Sequence, residues 1–150
     1  MDLLLWRHAE AVDGSPDHER ALSARGAEQA RRMARWLSRH GPEELRVLAS
    51  PATRTCQTAA AFTRDFTQVP ALSPGCGARD LLAASRWPAA DRPCLLVGHQ
   101  PALGRLAALL LTGVEADWSI RKGAVWWFRS RERGGARETV LRAVLAPDLV

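Results

Sequence analysis

The sequence has little lysine, little cysteine and no long hydrophobic run. Of its 21 basic residues only Lys122 is a lysine, and the others are arginines, whose planar guanidinium groups fit phosphate and carboxylate oxygens. This composition favours an anionic ligand, although an alanine- and arginine-rich chain is also typical of a biased genome. The formal net charge of +5 is the only feature that favours nucleic-acid binding, because no nucleic-acid-binding motif is present. We therefore expect no nucleic-acid partner.

The scarcity of cysteine and of apolar runs excludes further classes of protein. The 3 cysteines are widely spaced and form no CxxC pair, which argues against a disulfide framework or a zinc knuckle. The apolar run at residues 106–111 is far shorter than the roughly 20 residues of a membrane span. Asp2 and Arg7 flank the first apolar run, which is the opposite of a signal-peptide layout. We expect a cytoplasmic protein with no membrane partner.

Short apolar runs alternate with helical patterns along the chain. The 150 residues suffice for one domain, expected to span residues 1–150. Continuous apolar runs predict buried parallel strands at residues 3–6, 46–49 and 94–97. Helices are predicted at residues 24–39 after the cap Ser23, 51–66 after the cap Ser50, 78–86 and 102–111. A closing hairpin, residues 124–129 and 139–146, turns at Gly134-Gly135. The expected fold is α/β, a three-layer α/β/α sandwich with a mainly parallel central sheet and antiparallel edge strands.

Polar side chains follow three of the predicted strands at their carboxyl ends. Arg7 and His8 follow the first strand, Ser50 and Arg54 the second, and His99 the third. In open α/β sheets ligands bind outside the carboxyl ends of the strands, and helix N-termini there attract anions. Taken alone, Arg54 is more simply an exposed helix arginine. Taken together, these residues predict an anion pocket with two imidazole rings, for which phosphate is the natural ligand.

Four motifs in order resemble those of the histidine phosphatase (phosphoglycerate mutase-like) superfamily. Residues 7–11 (RHAEA) are similar to its RHG/RHA signature, and residues 22–30 (LSARGAEQA) to its L-[ST]-x-x-G-x-x-Q-A helix start. Residues 50–59 (SPATRTCQTA) are similar to its S-P-x-x-R-x-x-Q-T-A segment, and residues 97–101 (VGHQP) to its GHxP segment. Within the superfamily, the small size and the RHAEA form most resemble the SixA-type phosphohistidine phosphatases.

The resemblance implies a role for each residue of the predicted pocket. His8 would be the nucleophile that forms a phosphohistidine intermediate, and His99 the second histidine of the site. Arg7 and Arg54 would bind the phosphoryl oxygens together with His99. Arg20 lies in a stretch similar to the R-P-L-T of many relatives and would line the substrate entrance, although alanine replaces the proline here.

The implied chemistry requires a neutral His8. We expect the guanidinium groups of Arg7 and Arg54 to lower the pKa of His8, and a backbone carbonyl to hold its other ring nitrogen. No cofactor or metal ion is expected, since the chain has no HExxH motif and no acidic metal cluster.

A general acid is missing from its expected place. Many relatives carry a carboxylate in the stretch where this chain has Ala71. Glu10, Asp13 and Asp17 lie near the first motif and are expected to be solvated loop charges. The leaving group of a phosphoramidate is basic and can carry its own proton, whereas an alkyl phosphate ester needs an acid. The sequence therefore favours cleavage of N–P over O–P bonds.

These observations leave several functions open. The leading prediction is a phosphatase that acts on protein phosphohistidine and releases inorganic phosphate. The short stretch between Arg54 and His99 leaves no room for a helical cap insertion, so the site is expected to be open to a protein substrate. The alternatives are a small-molecule phosphomonoesterase of the same superfamily, acting on phosphorylated metabolites, and a non-catalytic phosphate-binding domain. A mutase fits less well, because it must enclose its intermediate.

Overall fold

The computed structural model describes residues 1–150, in which one six-stranded sheet carries helices on both faces. The strands are β1 (Asp2–Arg7), β2 (Arg46–Ala49), β3 (Thr67–Gln68), β4 (Cys94–Gly98), β5 (Val125–Arg133) and β6 (Ala136–Leu145). The helices are α1 (Ala24–His40), α2 (Thr53–Phe62), α3 (Ala78–Ser85) and α4 (Ala102–Thr112). The strand order is β3-β2-β4-β1-β5-β6, parallel from β3 to β1, with β5 and β6 antiparallel. The predicted α/β/α fold is confirmed.

The unbroken apolar run of β1 follows from burial on both faces of the sheet. Leu3 and Leu5 pack into one core with apolar residues of α3 and α4, whereas Leu4 and Trp6 pack into a second core with residues of α1 and α2. All four side chains have no exposed surface. Because a strand covered on both faces has no polar side, its sequence shows no alternation.

The prediction for the second helix is wrong at both ends. The helix begins at Thr53 rather than at residue 51, after the N-cap Ala52, and no side chain caps it. The hydroxyl of Ser50 accepts a hydrogen bond from the Ala52 N–H at 3.2 Å and contacts a histidine instead. The helix ends at Phe62, and β3, which the sequence did not predict, pairs with β2.

The predicted start of α1 and the closing turn are confirmed. Ser23 accepts a hydrogen bond from the Gly26 N–H at 3.0 Å, and α1 ends at His40, one residue beyond the predicted end. The turn lies at Gly134-Gly135, although β5 and β6 are longer than predicted. None of the helices combines the length and hydrophobicity that crossing a bilayer requires.

Candidate active site

The sheet brings the two predicted pocket histidines together. His8 directly follows β1 and His99 directly follows β4, and these strands are neighbours in which Arg7 pairs with Gly98. The His8 N–H also donates to the Gly98 carbonyl at 3.1 Å. As a result, the two imidazole centroids lie 5.3 Å apart, with their planes tilted by 53°.

The ring of His8 is held in one orientation. Its Nδ1 lies 2.8 Å from the Ala9 carbonyl oxygen, and the Ala9 N–H donates to Thr58 Oγ1 at 3.1 Å. A carbonyl oxygen can only accept a hydrogen bond, so Nδ1 must be the donor. The proton of the neutral ring therefore sits on Nδ1, and the lone pair sits on Nε2. The expectation that a backbone carbonyl holds His8 is confirmed.

Burial is the main reason why His8 is neutral. The side chain is 7% exposed, and burial, followed by the charges of Arg54, Arg7 and Lys122, lowers the pKa of His8 to about 4. The sequence predicted the direction of this shift but assigned it to the two arginines, whose effect is smaller than that of desolvation.

His99 is paired with a fully buried hydroxyl. Its Nε2 lies 2.8 Å from Ser50 Oγ, and its Nδ1 is buried with no hydrogen-bond partner. Burial, followed by the charges of His8 and Arg54, lowers the pKa of His99 to about 3. His99 is therefore also neutral at pH 7, and one of its ring nitrogens has no hydrogen-bond partner.

Both predicted arginines are anchored and keep an unused donor. Arg7 Nη1 donates to the Ile120 carbonyl at 2.8 Å, and Arg54 Nη1 donates to the Asp17 carbonyl at 2.8 Å. Arg54 is only 5% exposed, so it is not an ordinary surface arginine. The Nε atoms of both arginines and Nδ1 of His99 are three of the five buried side-chain polar atoms that lack a partner. Unpaired buried donors on two cations suit an anion.

Asp17 is part of this cluster, which the sequence did not predict. One carboxylate oxygen accepts from Arg54 Nη2 at 3.0 Å and the other accepts from Arg20 Nη1 at 3.0 Å. Asp17 is exposed, as predicted for a loop charge, but the sequence did not predict its pairing with Arg54. Hydrogen bonds from Arg20 and Arg54 lower the pKa of Asp17, so it is an ionised acceptor at neutral pH. No motif marks Asp17, because its contact depends on how residues 12–22 fold back.

Arg20 is bound to the same loop. Its Nε donates to the Val12 carbonyl at 2.8 Å. Arg20 also contacts Asp17, which in turn contacts Arg54. The structure thus connects Arg20 to the site through Asp17, and its place at the substrate entrance stays a prediction.

The other positions considered for an acid or a nucleophile lie in different surroundings. Ala71 lies in a 3-10 turn, Pro70–Leu72, and Asp13 is exposed. Glu10 Oε2 lies 3.6 Å from Arg25 Nε. The thiol of Cys56 donates to the Ser50 carbonyl at 3.4 Å, and burial raises the pKa of Cys56, which disfavours a reactive thiolate. No group of three His, Cys, Asp or Glu residues is placed to hold a metal ion.

Comparisons of the sequence with known proteins find related chains. Residues 3–75 match the family model described as "Histidine phosphatase superfamily (branch 1)". The chain is 31% identical over 123 residues to the phosphohistidine phosphatase SixA of Escherichia coli, covering 75% of this chain and 76% of that protein. It is 32% identical over 148 residues to an uncharacterized protein of Picosynechococcus sp., covering 91% of this chain and 88% of that protein.

A solved structure supports the same relation. The protein histidine phosphatase SixA complexed with tungstate matches with a TM-score of 0.80 and 26% sequence identity, over 99% of this chain and 98% of that chain. The two folds thus correspond over almost their whole lengths.

Proposed function

The chain belongs to the histidine phosphatase superfamily and is a phosphatase, and from that premise we propose that it hydrolyses phosphohistidine on proteins without a metal ion. The observation that carries the proposal is a pair of adjacent neutral imidazoles that feel the charges of Arg7 and Arg54, where the nearby carboxylate of Asp17 is ionised. Such a site supplies a nucleophile and hydrogen-bond donors that bind an anion, but no acid that could protonate a leaving oxygen.

His8 is the proposed nucleophile. Its Nε2 lone pair attacks phosphorus in line as the N–P bond of the substrate breaks, and the phosphoryl group moves to His8. The Ala9 carbonyl accepts from Nδ1–H and stabilises the positive charge that the ring gains during the attack. Water then attacks the phosphorylated His8, which releases inorganic phosphate and regenerates the free ring.

The unused donors are proposed to bind the transferred group. Charge in the transition state spreads over three equatorial oxygens, to which the unpaired nitrogens of Arg7, Arg54 and His99 are proposed to donate. For His99 this requires the proton to sit on Nδ1. Ser50 favours that tautomer when its hydroxyl donates to Nε2, because the same oxygen accepts from the Ala52 N–H.

The leaving group explains why a phosphoramidate suits the site. A phosphohistidine ring protonated on its other nitrogen departs as neutral imidazole, so the enzyme need not supply a proton. An alkoxide has no such route and needs a general acid. The acidic residue that touches Arg54, Asp17, is ionised through its contacts with Arg20 and Arg54.

The chain elements around the site favour a protein-borne substrate. Between α2 and β4 the chain forms only β3, a 3-10 turn and α3, and α3 packs into the core with α4. We propose accordingly that residues 1–150 form one domain with no helical cap inserted over the histidines. An uncovered site leaves space for the surface that surrounds a phosphohistidine.

The test is phosphate release from a phosphohistidine-bearing protein, compared with a panel of alkyl and aryl monophosphates. We expect the phosphohistidine protein to be preferred, EDTA to have no effect, and His8→Ala to abolish release. His40→Ala is the matched control, because His40 follows Arg39 at the exposed end of α1 and lies in a second Arg-His pair.

Other outcomes would contradict the proposal. A preference for one ester would assign the protein as a small-molecule phosphomonoesterase. The absence of any release that depends on His8, together with measurable binding of inorganic phosphate, would assign a phosphate-binding domain.

A further inference from the structure

A polar cleft of about 290 Å³ lies beside the histidines, between α1 and two segments near residues 121 and 147. Its positive charges come from two arginines of α1, a third arginine and the single lysine of the chain. We call it the basic cleft, defined by Arg25, Arg32, Arg121 and Lys122. Glu28, Gln29, Pro147 and Asp148 complete its lining, in which Pro147 is the one apolar residue.

The charges of the basic cleft are not balanced. Asp148 lies 3.6 Å from Arg121, and Glu28 pairs with arginines outside the cleft at 3.0 and 3.7 Å. Arg32 and Lys122 form no ion pair with any carboxylate, and both are exposed. Two cations therefore remain free to bind an anion.

The basic cleft and the site share a wall. The Gly123 N–H, next to Lys122, donates to the carbonyls of both Arg7 and His8 at 3.1 Å. On the other side, Gln29 Oε1 accepts from the Glu10 N–H at 3.0 Å, two residues beyond His8. The cleft is thus joined to the site through the backbone of residues 7–10 and of Gly123.

The positive surface continues along α1 away from the site. A second, smaller cleft of about 100 Å³ is lined by Arg32, Arg35 and Arg39. Residues three and four apart lie on one helix face, so these arginines form a row of about 10 Å at 1.5 Å per residue. Arg32 lines both clefts and connects them.

We propose that the basic cleft binds carboxylate side chains of the phosphorylated protein substrate, beside its phosphohistidine. This inference rests on the proposed function and names a surface that selects the substrate. Arginine forks pair with carboxylates, and a cleft lined almost entirely by charged and polar side chains does not suit a hydrophobic peptide. Glu28 and Asp148 place two carboxylates among the cations of the basic cleft, which disfavours the continuous phosphate backbone of a nucleic acid.

The test compares one reversal of charge on two substrates. We expect Arg32→Glu to lower kcat/KM about tenfold for a phosphohistidine protein with Asp or Glu near the histidine, since like charges repel at an interface. Free phosphohistidine carries none of the neighbouring side chains that would enter the cleft, and its kcat/KM should stay unchanged. Arg133→Glu is the matched control, because Arg133 is exposed, forms no ion pair, and lies at the end of β5 away from His8.

A substrate variant completes the cycle. When the carboxylates near the phosphohistidine are changed to amides, wild type and Arg32→Glu should hydrolyse the protein equally fast. Equal losses on the protein and on free phosphohistidine, or equal effects of Arg32→Glu and Arg133→Glu, would overturn the inference. Binding of duplex DNA that depends on Arg32, with no Arg32 effect on the protein substrate, would overturn it in favour of nucleic acid.

The two proposals fail in different ways. Wild type that releases no phosphate from the phosphohistidine protein overturns the proposed function, and this inference falls with it. Wild-type release that Arg32→Glu leaves unchanged overturns the inference alone.

Discussion

At the scale of single residues, the hydroxyl of Ser50 is expected to set the tautomer of His99. It lies 2.8 Å from His99 Nε2 and already accepts a hydrogen bond from the Ala52 N–H, so the hydroxyl is best placed to donate its own proton towards Nε2. The ring proton then sits on Nδ1, which has no other partner. A bare Nδ1 lone pair would instead repel a phosphoryl oxygen. Ser50 is thus a positioning residue that acts through His99.

We expect Ser50→Ala to lower kcat/KM by about 10- to 100-fold, because the preference for one His99 tautomer is lost. Ser50→Thr keeps the hydroxyl and should retain most of the activity. The ¹⁵N chemical shifts of His99 report the tautomer directly, and they should change in Ser50→Ala but not in Ser50→Thr. An unchanged His99 spectrum in Ser50→Ala would show that Ser50 has only a structural role.

At the scale of elements, the loop of residues 12–22 is tied to α2 through a chain of contacts. Arg20 binds the Val12 carbonyl and one oxygen of Asp17, and Asp17 holds Arg54 through its other oxygen and its carbonyl. The 3-10 turn Asp17–Glu19 buries no residue, so these polar contacts fix its position. The loop therefore acts as a brace for the guanidinium of Arg54.

Removing the brace should weaken phosphate binding more than stability. For Arg20→Ala we expect KM and the inhibition constant of inorganic phosphate to rise severalfold, with kcat almost unchanged, since an exposed ion pair contributes about 0–1 kcal/mol to folding. Arg20→Lys should not restore binding, because one ammonium cannot reproduce the fork of Arg20. Steady-state kinetics and urea unfolding check this, and a loss of kcat at constant KM would contradict it.

The motif residues differ in how much the sequence tells about them. Gly26 is part of a recognisable helix start, and the structure shows why, since an added Cβ would lie 1.8 Å from the Glu10 carbonyl oxygen. Ser50 has the pattern of a helix cap, yet its hydroxyl contacts His99 across 49 residues. Local patterns predict α1 correctly and α2 incorrectly because only the second helix begins at a site where a distant side chain competes for the cap.

At the scale of the whole molecule, the order of the strands decides what could be predicted. The apolar runs of β1 and β4 predict buried strands, and the rule for strand ends brings His8, Arg54 and His99 to one edge. The sequence did not predict the pairing of β2 with β3, whose two residues are exposed and carry no apolar pattern. It also did not predict the contact of Asp17 with Arg54, because a loop held by polar contacts shows no periodic pattern of apolar residues.

The two buried histidines should make the whole fold sensitive to acid. The ordinary pKa of each ring is 6.5, and in the folded protein it falls to about 4 for His8 and about 3 for His99. Between these values the unfolded chain binds more protons than the folded chain, so the free energy of unfolding falls as the pH falls below about 6.5. For His8 alone the effect reaches about 3 kcal/mol near pH 4.

Urea unfolding at pH 7.5 and pH 4.5 in phosphate-free buffer measures this loss. We expect the loss of stability between the two pH values to be smaller by a few kcal/mol in the double variant His8→Asn/His99→Asn. His18→Asn is the control, since that side chain is 73% exposed, and it should behave as wild type. Equal losses in wild type and the double variant would contradict the assignment.

The central position of β1 has a consequence for biosynthesis. Its neighbours are β4, which begins at Cys94, and β5, which begins at Val125, so β1 leaves the ribosome well before either strand with which it pairs. A nascent chain that stops at Ala90 holds β1 with no strand to pair with, and has made His8 and Arg54 but not His99. The candidate site therefore assembles only when the second half of the chain has been synthesised, and truncated translation products carry an exposed Leu3–Trp6 run in place of a partial enzyme.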